Sequence, residues 1–114
     1  MANTAAVKGV AFALQPAGSL SLGNGNAIQI PSSFARHQVL IKTSAGVASG
    51  AVSIETADVA DYTGAWDLVT TAITVPAANT VDTYNFTGIY RAIRARISTV
   101  VVGGTITVEY IGAP

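Results

Sequence analysis

Hydrophobic and polar residues alternate along much of this chain, and the alternation is clearest in its last quarter. Two alternating runs, residues 89–102 and 105–111, are separated by Gly103 and Gly104. A glycine pair between such runs favours a tight turn, because both turn residues can adopt positive φ without a steric penalty. The pattern therefore predicts a C-terminal β-hairpin in which the two runs pair directly.

This predicted hairpin has one apolar and one polar face. The apolar face consists of Ile97, Val101, Ile106, Val108 and Tyr110. The polar face carries Arg94, Arg96, Ser98, Thr105, Thr107 and Glu109. In this register Glu109 lies diagonal to Arg96, which predicts a cross-strand ion pair. Arg94, Arg96 and Glu109 are therefore candidates for an inter-subunit contact, since Arg is enriched in interfaces; a solvated charged face is the alternative.

Shorter β-like runs precede the hairpin, and turn-forming residues separate them. These predicted strands cover residues 10–15, 19–22, 27–30, 38–43, 51–56, 66–69, 72–75 and 83–86. Pro16, Ala17 and Gly18, for example, favour a turn after the first run. No segment shows a sustained helical period. The pattern predicts an all-β fold, an antiparallel β-sandwich that is jelly-roll-like.

The composition fits one domain that assembles with other chains. A length of 114 residues suits a single β-sandwich domain over residues 10–114, and residues 1–9 are expected to form an extended arm. Only 11% of the residues are charged, against about a quarter in an average soluble domain. A surface with so little charge favours contacts between chains. An ordinary surface of Thr, Ser and Ala is the alternative.

Charge and cysteine content exclude several classes of function. The six basic and six acidic residues cancel, so we expect no nucleic-acid partner. The absence of cysteine removes disulfides, thiolate nucleophiles and cysteine metal ligands. Residues 7–14 are mostly apolar, but Lys8 interrupts them and no positively charged segment precedes them, so we expect no signal peptide. No run is long enough for a transmembrane helix, and we expect no membrane partner.

Candidate catalytic and metal-binding residues are few. His37 is the only histidine, and its position beside a predicted strand suggests a surface or strand-edge residue rather than part of a catalytic triad. One acidic cluster lacks the spacing of a calcium-binding loop; it consists of Glu55, Asp58, Asp61 and Asp67. We therefore expect no enzyme activity, no catalytic or metal site and no cofactor.

Aromatic residues offer one candidate ligand site. Trp66 and Tyr62 could form a platform for sugar, because flat rings stack on sugar faces. The favoured interpretation places Trp66 in the core together with Phe86, since both occupy predicted strand positions. The sugar platform is the alternative.

The second half of the chain contains five segments in a recognisable order: Ser53-Ile54-Glu55, Trp66-Asp67-Leu68, Tyr84-Asn85-Phe86, Tyr90-Arg91-Ala92-Ile93-Arg94 and Gly103-Gly104-Thr105-Ile106-Thr107-Val108. This order resembles that of small virion proteins of tailed bacteriophages. Those are β-sandwich or jelly-roll proteins that decorate or cement capsids, or serve in tail and fibre assemblies. The same order is also similar to discoidin-like carbohydrate-binding sandwiches.

The phage resemblance implies a non-enzymatic structural protein of the virion, assembled in the host cytoplasm. Such a protein would stabilise the phage head as a capsid decoration or cement protein. Its partners would be further copies of itself, in a homo-oligomer such as a trimer, and the major capsid protein or other virion proteins. The alternatives are a tail or head-fibre component and a carbohydrate-binding β-sandwich module.

Overall fold

The described part of the chain consists of β-strands in two packed sheets. The computed structural model describes residues 4–5, 9, 12–19, 23–70, 72–75 and 77–114. The strands are β1 (Thr4–Ala5), β2 (Phe12–Ser19), β3 (Gly23–Asn24), β4 (Ile28–Gln29), β5 (Arg36–Thr43), β6 (Ser49–Ala57), β7 (Asp67–Leu68), β8 (Ile73–Thr74), β9 (Val81–Thr87), β10 (Ala92–Val102) and β11 (Ile106–Ala113). None of the described residues is helical, so this part of the chain holds no helix that could cross a membrane.

The larger sheet has the strand order β1-β4-β10-β6-β7, with β3 beside β10 and β8 beside β6. The smaller sheet has the order β2-β11-β5-β9. Among the described strands every pairing is antiparallel except that of β1 with β4. The predicted all-β, antiparallel sandwich is therefore confirmed, and the jelly-roll connectivity stays a prediction.

The core lies between the long strands of the two sheets. Successive side chains of a strand point to opposite faces, so burial alternates along β5 and β11. The smaller sheet contributes Val39, Ile41, Ile106, Val108 and Tyr110, and the larger sheet contributes Val52, Ile54, Ile93, Ala95 and Ile97. All of these are almost completely buried, which leaves the outer face of each sheet for solvent or a partner.

The predicted C-terminal hairpin is wrong, because its two strands lie in different sheets. β10 pairs with β6 from Ala92 opposite Ala57 to Val102 opposite Ser49, whereas β11 pairs with β5 and β2. Residues 103–105 instead carry the chain from the larger sheet to the smaller one. The predicted apolar set is buried as expected, but its members face each other across the core rather than side by side.

A second correction concerns Pro16, Ala17 and Gly18, which lie inside β2 and do not end it. The pairing of β2 with β11 changes register here, since Ser19 lies opposite Ile106 and Gln15 opposite Val108. The residues between these pairs form an irregularity. β2 is an end strand of the smaller sheet, where proline is tolerated because one side of the backbone needs no sheet partner.

The predicted N-terminal arm falls mostly outside the described residues. Within it, Thr4 lies opposite Ile28 in the pairing of β1 with β4, and the amide of Gly9 donates to the carbonyl of Gly112 at 3.0 Å. Most of the predicted strand 19–22 also falls outside the described part of the chain.

Candidate interaction surfaces

The outer face of the larger sheet carries a partly buried ion pair. Arg94 of β10 and Glu55 of β6 are direct cross-strand partners. The Arg94 Nε donates to the Glu55 Oε1 at 2.7 Å, and the two side chains are only 18% and 12% exposed. The neighbouring Ile93 and Ala95 point into the core, so alternation places Arg94 on the outer face. The pair neutralises two charges at the centre of this face.

Trp66 covers this ion pair from outside. The Arg94 guanidinium carbon lies 4.3 Å from the centroid of the indole ring, a geometry that favours a cation–π interaction. The indole Nε1 donates to the Tyr62 carbonyl at 3.0 Å. The expectation that Trp66 lies in the core is therefore wrong. Trp66 precedes the short β7, and Leu68 of β7 lies opposite Glu55 in the sheet, which brings this segment to the outer face.

We define the Trp66 surface as Glu55, Tyr62, Trp66, Leu68 and Arg94. Tyr62 and Leu68 are 45% and 59% exposed. Tyr62 lies in the loop before the half-buried Trp66, and Leu68 lies in β7 directly after it. This surface presents apolar and aromatic groups beside a charge pair that is already satisfied. Such a surface can contact another protein or the apolar face of a sugar ring. Of the two candidate sugar residues, the Trp66 indole thus contacts the backbone carbonyl of Tyr62.

The candidate interface residues separate onto two faces. Arg96 is exposed on the larger sheet, where its partner in β6 is Ser53. Glu109 lies on the smaller sheet, and its Oε1 is 2.6 Å from the Lys42 Nζ. The predicted ion pair of Arg96 with Glu109 is wrong, because it depended on the hairpin. The two sheets instead each carry their own internal ion pair.

His37 is buried in the core side of β5 and is only 3% exposed. Its Nε2 lies 2.9 Å from the Gly88 carbonyl oxygen, and its Nδ1 lies 2.6 Å from the Tyr110 hydroxyl oxygen. A carbonyl can only accept, so Nε2 carries a hydrogen, and Nδ1 is placed to accept from the Tyr110 hydroxyl. Burial raises the pKa of Tyr110 to about 12, so the phenol stays a donor.

Aromatic rings pack around this histidine. Phe86 of β9 stacks on the imidazole with ring centroids 5.0 Å apart, and Tyr90 contacts it edge-on at 5.5 Å. The expectation of a surface histidine is wrong. The alternation of the strand could have predicted this burial. Once the strand is extended to Arg36, the His37 side chain points to the same face as Val39 and Ile41. With both nitrogens occupied inside the core, His37 connects β5, β11 and the end of β9. Phe86 itself is half-buried and packs against the core.

The outer face of the smaller sheet has a shallow groove of about 520 Å³. Its lining includes Arg36, Gln38, Asn85, Thr87, Ile111 and Ala113. The Gln38 Nε2 donates to the Asn85 Oδ1 at 3.0 Å, and the Arg36 Nε donates to the Pro114 carbonyl at 2.8 Å. The groove therefore combines amide groups with an apolar floor, and its one cationic lining side chain already has an acceptor.

The acidic cluster does not converge on one point. Glu55 is engaged by Arg94, and Asp58 lies 4.0 Å from Arg91 at the surface. In the part of the chain that the structure describes, no group of three or more His, Cys, Asp and Glu residues is placed to hold a metal ion.

No family model, curated protein or solved structure matches this chain.

Proposed function

We propose that this chain is a non-enzymatic structural protein of a tailed-phage particle, a capsid decoration or cement protein. It acts by adhesion: its outer faces bury surface against capsid subunits and against further copies of itself, which raises the free energy needed to separate the shell. The resemblance of its second half to small virion proteins supplies the phage context. A tail or head-fibre component would use the same surfaces.

The observation that carries this proposal is the chemical character of the outer surface. Seven large apolar side chains of the described residues are exposed. They are Val59, Tyr62, Leu68, Val81, Ile89, Val100 and Val102. The chain also has less than half the usual share of charged residues, 11% against about a quarter. On the outer faces, Arg94 with Glu55 and Lys42 with Glu109 neutralise each other. Leu68 lies opposite Glu55 in the sheet, so an exposed apolar side chain adjoins a neutralised charge pair there, which favours contact with another protein.

The size of the molecule is compatible with this role. A protein interface of standard size buries roughly 800 Å² on each partner, and the chain exposes 5676 Å². One such contact uses about one-seventh of the surface. Both outer faces can therefore be engaged at once, and symmetric repetition around a capsid multiplies a weak contact into a stable one.

The first test measures whether the chain belongs to the particle. In the purified phage whose genome encodes this sequence, we expect quantitative mass spectrometry to find copy numbers comparable to the major capsid protein. Antibody labelling in electron microscopy should mark the head. Labelling of the tail or fibres would favour that alternative within the same class, and absence from the particle would overturn the proposal.

The second test links adhesion to the Trp66 surface. Particles lacking the chain should lose infectivity faster on heating, and adding the purified wild-type protein should restore resistance. Leu68→Asp should restore less, because a charge in a buried contact is unfavourable. Thr74→Asp is a matched control, since Thr74 is an exposed residue of β8 in the same sheet. Equal rescue by both variants would contradict a role of this surface.

A carbohydrate-binding module is the second candidate, favoured by the proximity of Trp66 and exposed Tyr62. Titration with a panel of oligosaccharides, followed by tryptophan fluorescence, tests it directly, since Trp66 is the only tryptophan. A saturable change that Tyr62→Ala weakens would favour this candidate over a purely adhesive protein.

A further inference from the structure

The ends of the two sheets differ in how open they are to another strand. In the larger sheet the terminal strands β1 and β7 each contain two residues. In the smaller sheet, β2 contains Pro16 and shifts register twice against β11. β9 at the opposite end has seven residues, no proline and an unbroken register with β5. Short strands, proline and bulges discourage strand addition, and β9 has none of them.

The pairing of β9 with β5 identifies the backbone groups that face outward. Antiparallel partners exchange hydrogen bonds at alternate positions. The Gly88 amide donates to the Ala35 carbonyl at 3.0 Å, and the Thr43 amide donates to the Thr80 carbonyl at 2.9 Å. Even-numbered residues of β9 therefore bond to β5. The odd-numbered residues direct their amides and carbonyls to the open side of the strand; they are Val81, Thr83, Asn85 and Thr87.

The side chains of β9 add little obstruction to this open edge. Thr83, Asn85 and Thr87 are exposed and uncharged on the outer face, and Tyr84 and Phe86 are half-buried on the core side with ring centroids 5.5 Å apart. Asp82 is the only charge in the strand, and its carboxylate accepts the Thr83 amide at 3.0 Å. The one charged side chain of β9 that opposes the addition of another strand is thus Asp82, near the start of the strand.

We propose that β9 pairs antiparallel with β9 of a second copy, about a two-fold axis through Asn85. In this register Thr83 lies opposite Thr87 of the second copy, and Tyr84 lies opposite Phe86 of the second copy. Three hydrogen-bonded pairs of two bonds each give up to about six backbone hydrogen bonds. In two of them the donor is a Thr83 amide, which exchanges the Asp82 carboxylate for the Thr87 carbonyl of the second copy. The contact joins two smaller sheets into one continuous sheet.

We favour a second copy of β9 over an unrelated extended segment as the partner, because the strand is complementary to itself. An aromatic residue meets an aromatic residue, and a threonine meets a threonine, which are favourable cross-strand pairs. Asp82 lies opposite Gly88 of the second copy, so like charges do not meet. A two-fold contact needs this self-complementarity. The inference deepens the proposed function by naming the surface between copies, and it rests on that function for its setting.

The test exploits the opposition of Thr83 and Thr87. The double variant Thr83→Lys/Thr87→Lys places like charges opposite each other twice. We expect its dimer dissociation constant, measured by sedimentation equilibrium, to rise at least roughly tenfold. The matched control Thr83→Lys/Thr87→Glu places opposite charges in the same two pairs and should restore dimerisation to near the wild-type value. Both side chains are exposed, and thermal melting of each variant checks that the fold is intact.

A second measurement does not depend on substitution. Amide exchange of Asn85 and Thr87 should slow as the wild-type concentration is raised through the dimer range, because these amides become bonded. A wild-type chain that stays at 11.6 kDa at high concentration would overturn the proposal. So would a dimer that both double variants weaken equally, or that neither affects. If the chain is found in the particle but its dimer is unaffected by either double variant, β9 pairing is rejected and the proposed function stands.

Discussion

Gly46 and Gly103 lie backbone against backbone where the chain twice crosses between the sheets. Gly46 belongs to the connection from β5 to β6, and Gly103 to the connection from β10 to β11. Both have positive φ, 85° and 92°. A Cβ atom on Gly46 would lie 2.6 Å from the Gly103 carbonyl oxygen. The crossings are also joined by a hydrogen bond from the Ala48 amide to the Val102 carbonyl at 2.8 Å.

Replacement of Gly103 by alanine should therefore be strongly destabilising. The added methyl would meet the Gly46 carbonyl oxygen, which is backbone and cannot rotate away. Together with the strain of positive φ, we expect a loss of about 3 kcal/mol in the free energy of unfolding, measured with urea. Gly9→Ala is the control, since Gly9 also has positive φ but nothing lies within 4 Å of the added methyl. Its expected loss is about 1 kcal/mol. Equal losses would contradict the close contact.

Tyr110→Phe should destabilise the protein at neutral pH by about 1–3 kcal/mol, because it leaves the buried His37 Nδ1 without its donor. The measurement is urea unfolding at pH 7. Tyr62→Phe removes a hydroxyl from an exposed ring and should change little. Nitrogen NMR of the imidazole should show hydrogen on Nε2 in the wild type; hydrogen on Nδ1 would reverse the direction of the bond.

The same tyrosine predicts a loss of stability in alkali. Its pKa is about 12 in the folded protein against 10.0 ordinarily, because burial disfavours the phenolate. The folded state therefore holds this proton more tightly. The resulting stabilisation is complete below pH 10 and is lost as the pH rises from 10 to 12, about 3 kcal/mol in all. Tyr110→Phe lacks this contribution. The unfolding free energy of the wild type should fall more steeply than that of the variant over this range; parallel curves would refute the assignment.

The ion pair beneath Trp66 should matter more than the ion pair on the opposite sheet. Arg94→Ala leaves Glu55, 12% exposed, without its partner, and we expect a loss of about 2 kcal/mol in urea unfolding. Lys42→Ala breaks a pair in which the lysine is 46% exposed, and should cost about 0.5 kcal/mol. Trp66 fluorescence should shift only in the first variant, since the Arg94 guanidinium lies against the indole and Lys42 belongs to the other sheet. A shift in both would point to a general change in the fold.

The alternation of apolar and polar residues correctly predicted which side chains of the long C-terminal strands are buried. Ile97 and Val101, and likewise Ile106 and Val108, are buried as the pattern requires. Alternation states which face of a strand is apolar, but it does not state which strand lies beside it. A Gly-Gly pair suits both a hairpin turn and a crossing between sheets. The residues that pack against this crossing, such as Gly46, are far away in sequence.

The candidate surfaces were harder to predict for the same reason. Trp66 lies over Arg94 because β7 pairs with β6 and places the preceding loop on the outer face, a relationship between segments distant in sequence. His37 was misassigned for a local reason. The predicted strand began at Gln38, and two more residues would have placed the imidazole in line with Val39 and the core.

The smaller sheet has one receptive end and one obstructed end, and this difference limits the size of an assembly built from it. If β9 joins β9 of another copy, both receptive ends are consumed by a single contact, and the ends that remain are the proline-containing β2 strands. Continuous addition would require two receptive ends on each molecule. Pairing through this edge therefore terminates as a closed dimer rather than extending into a fibril.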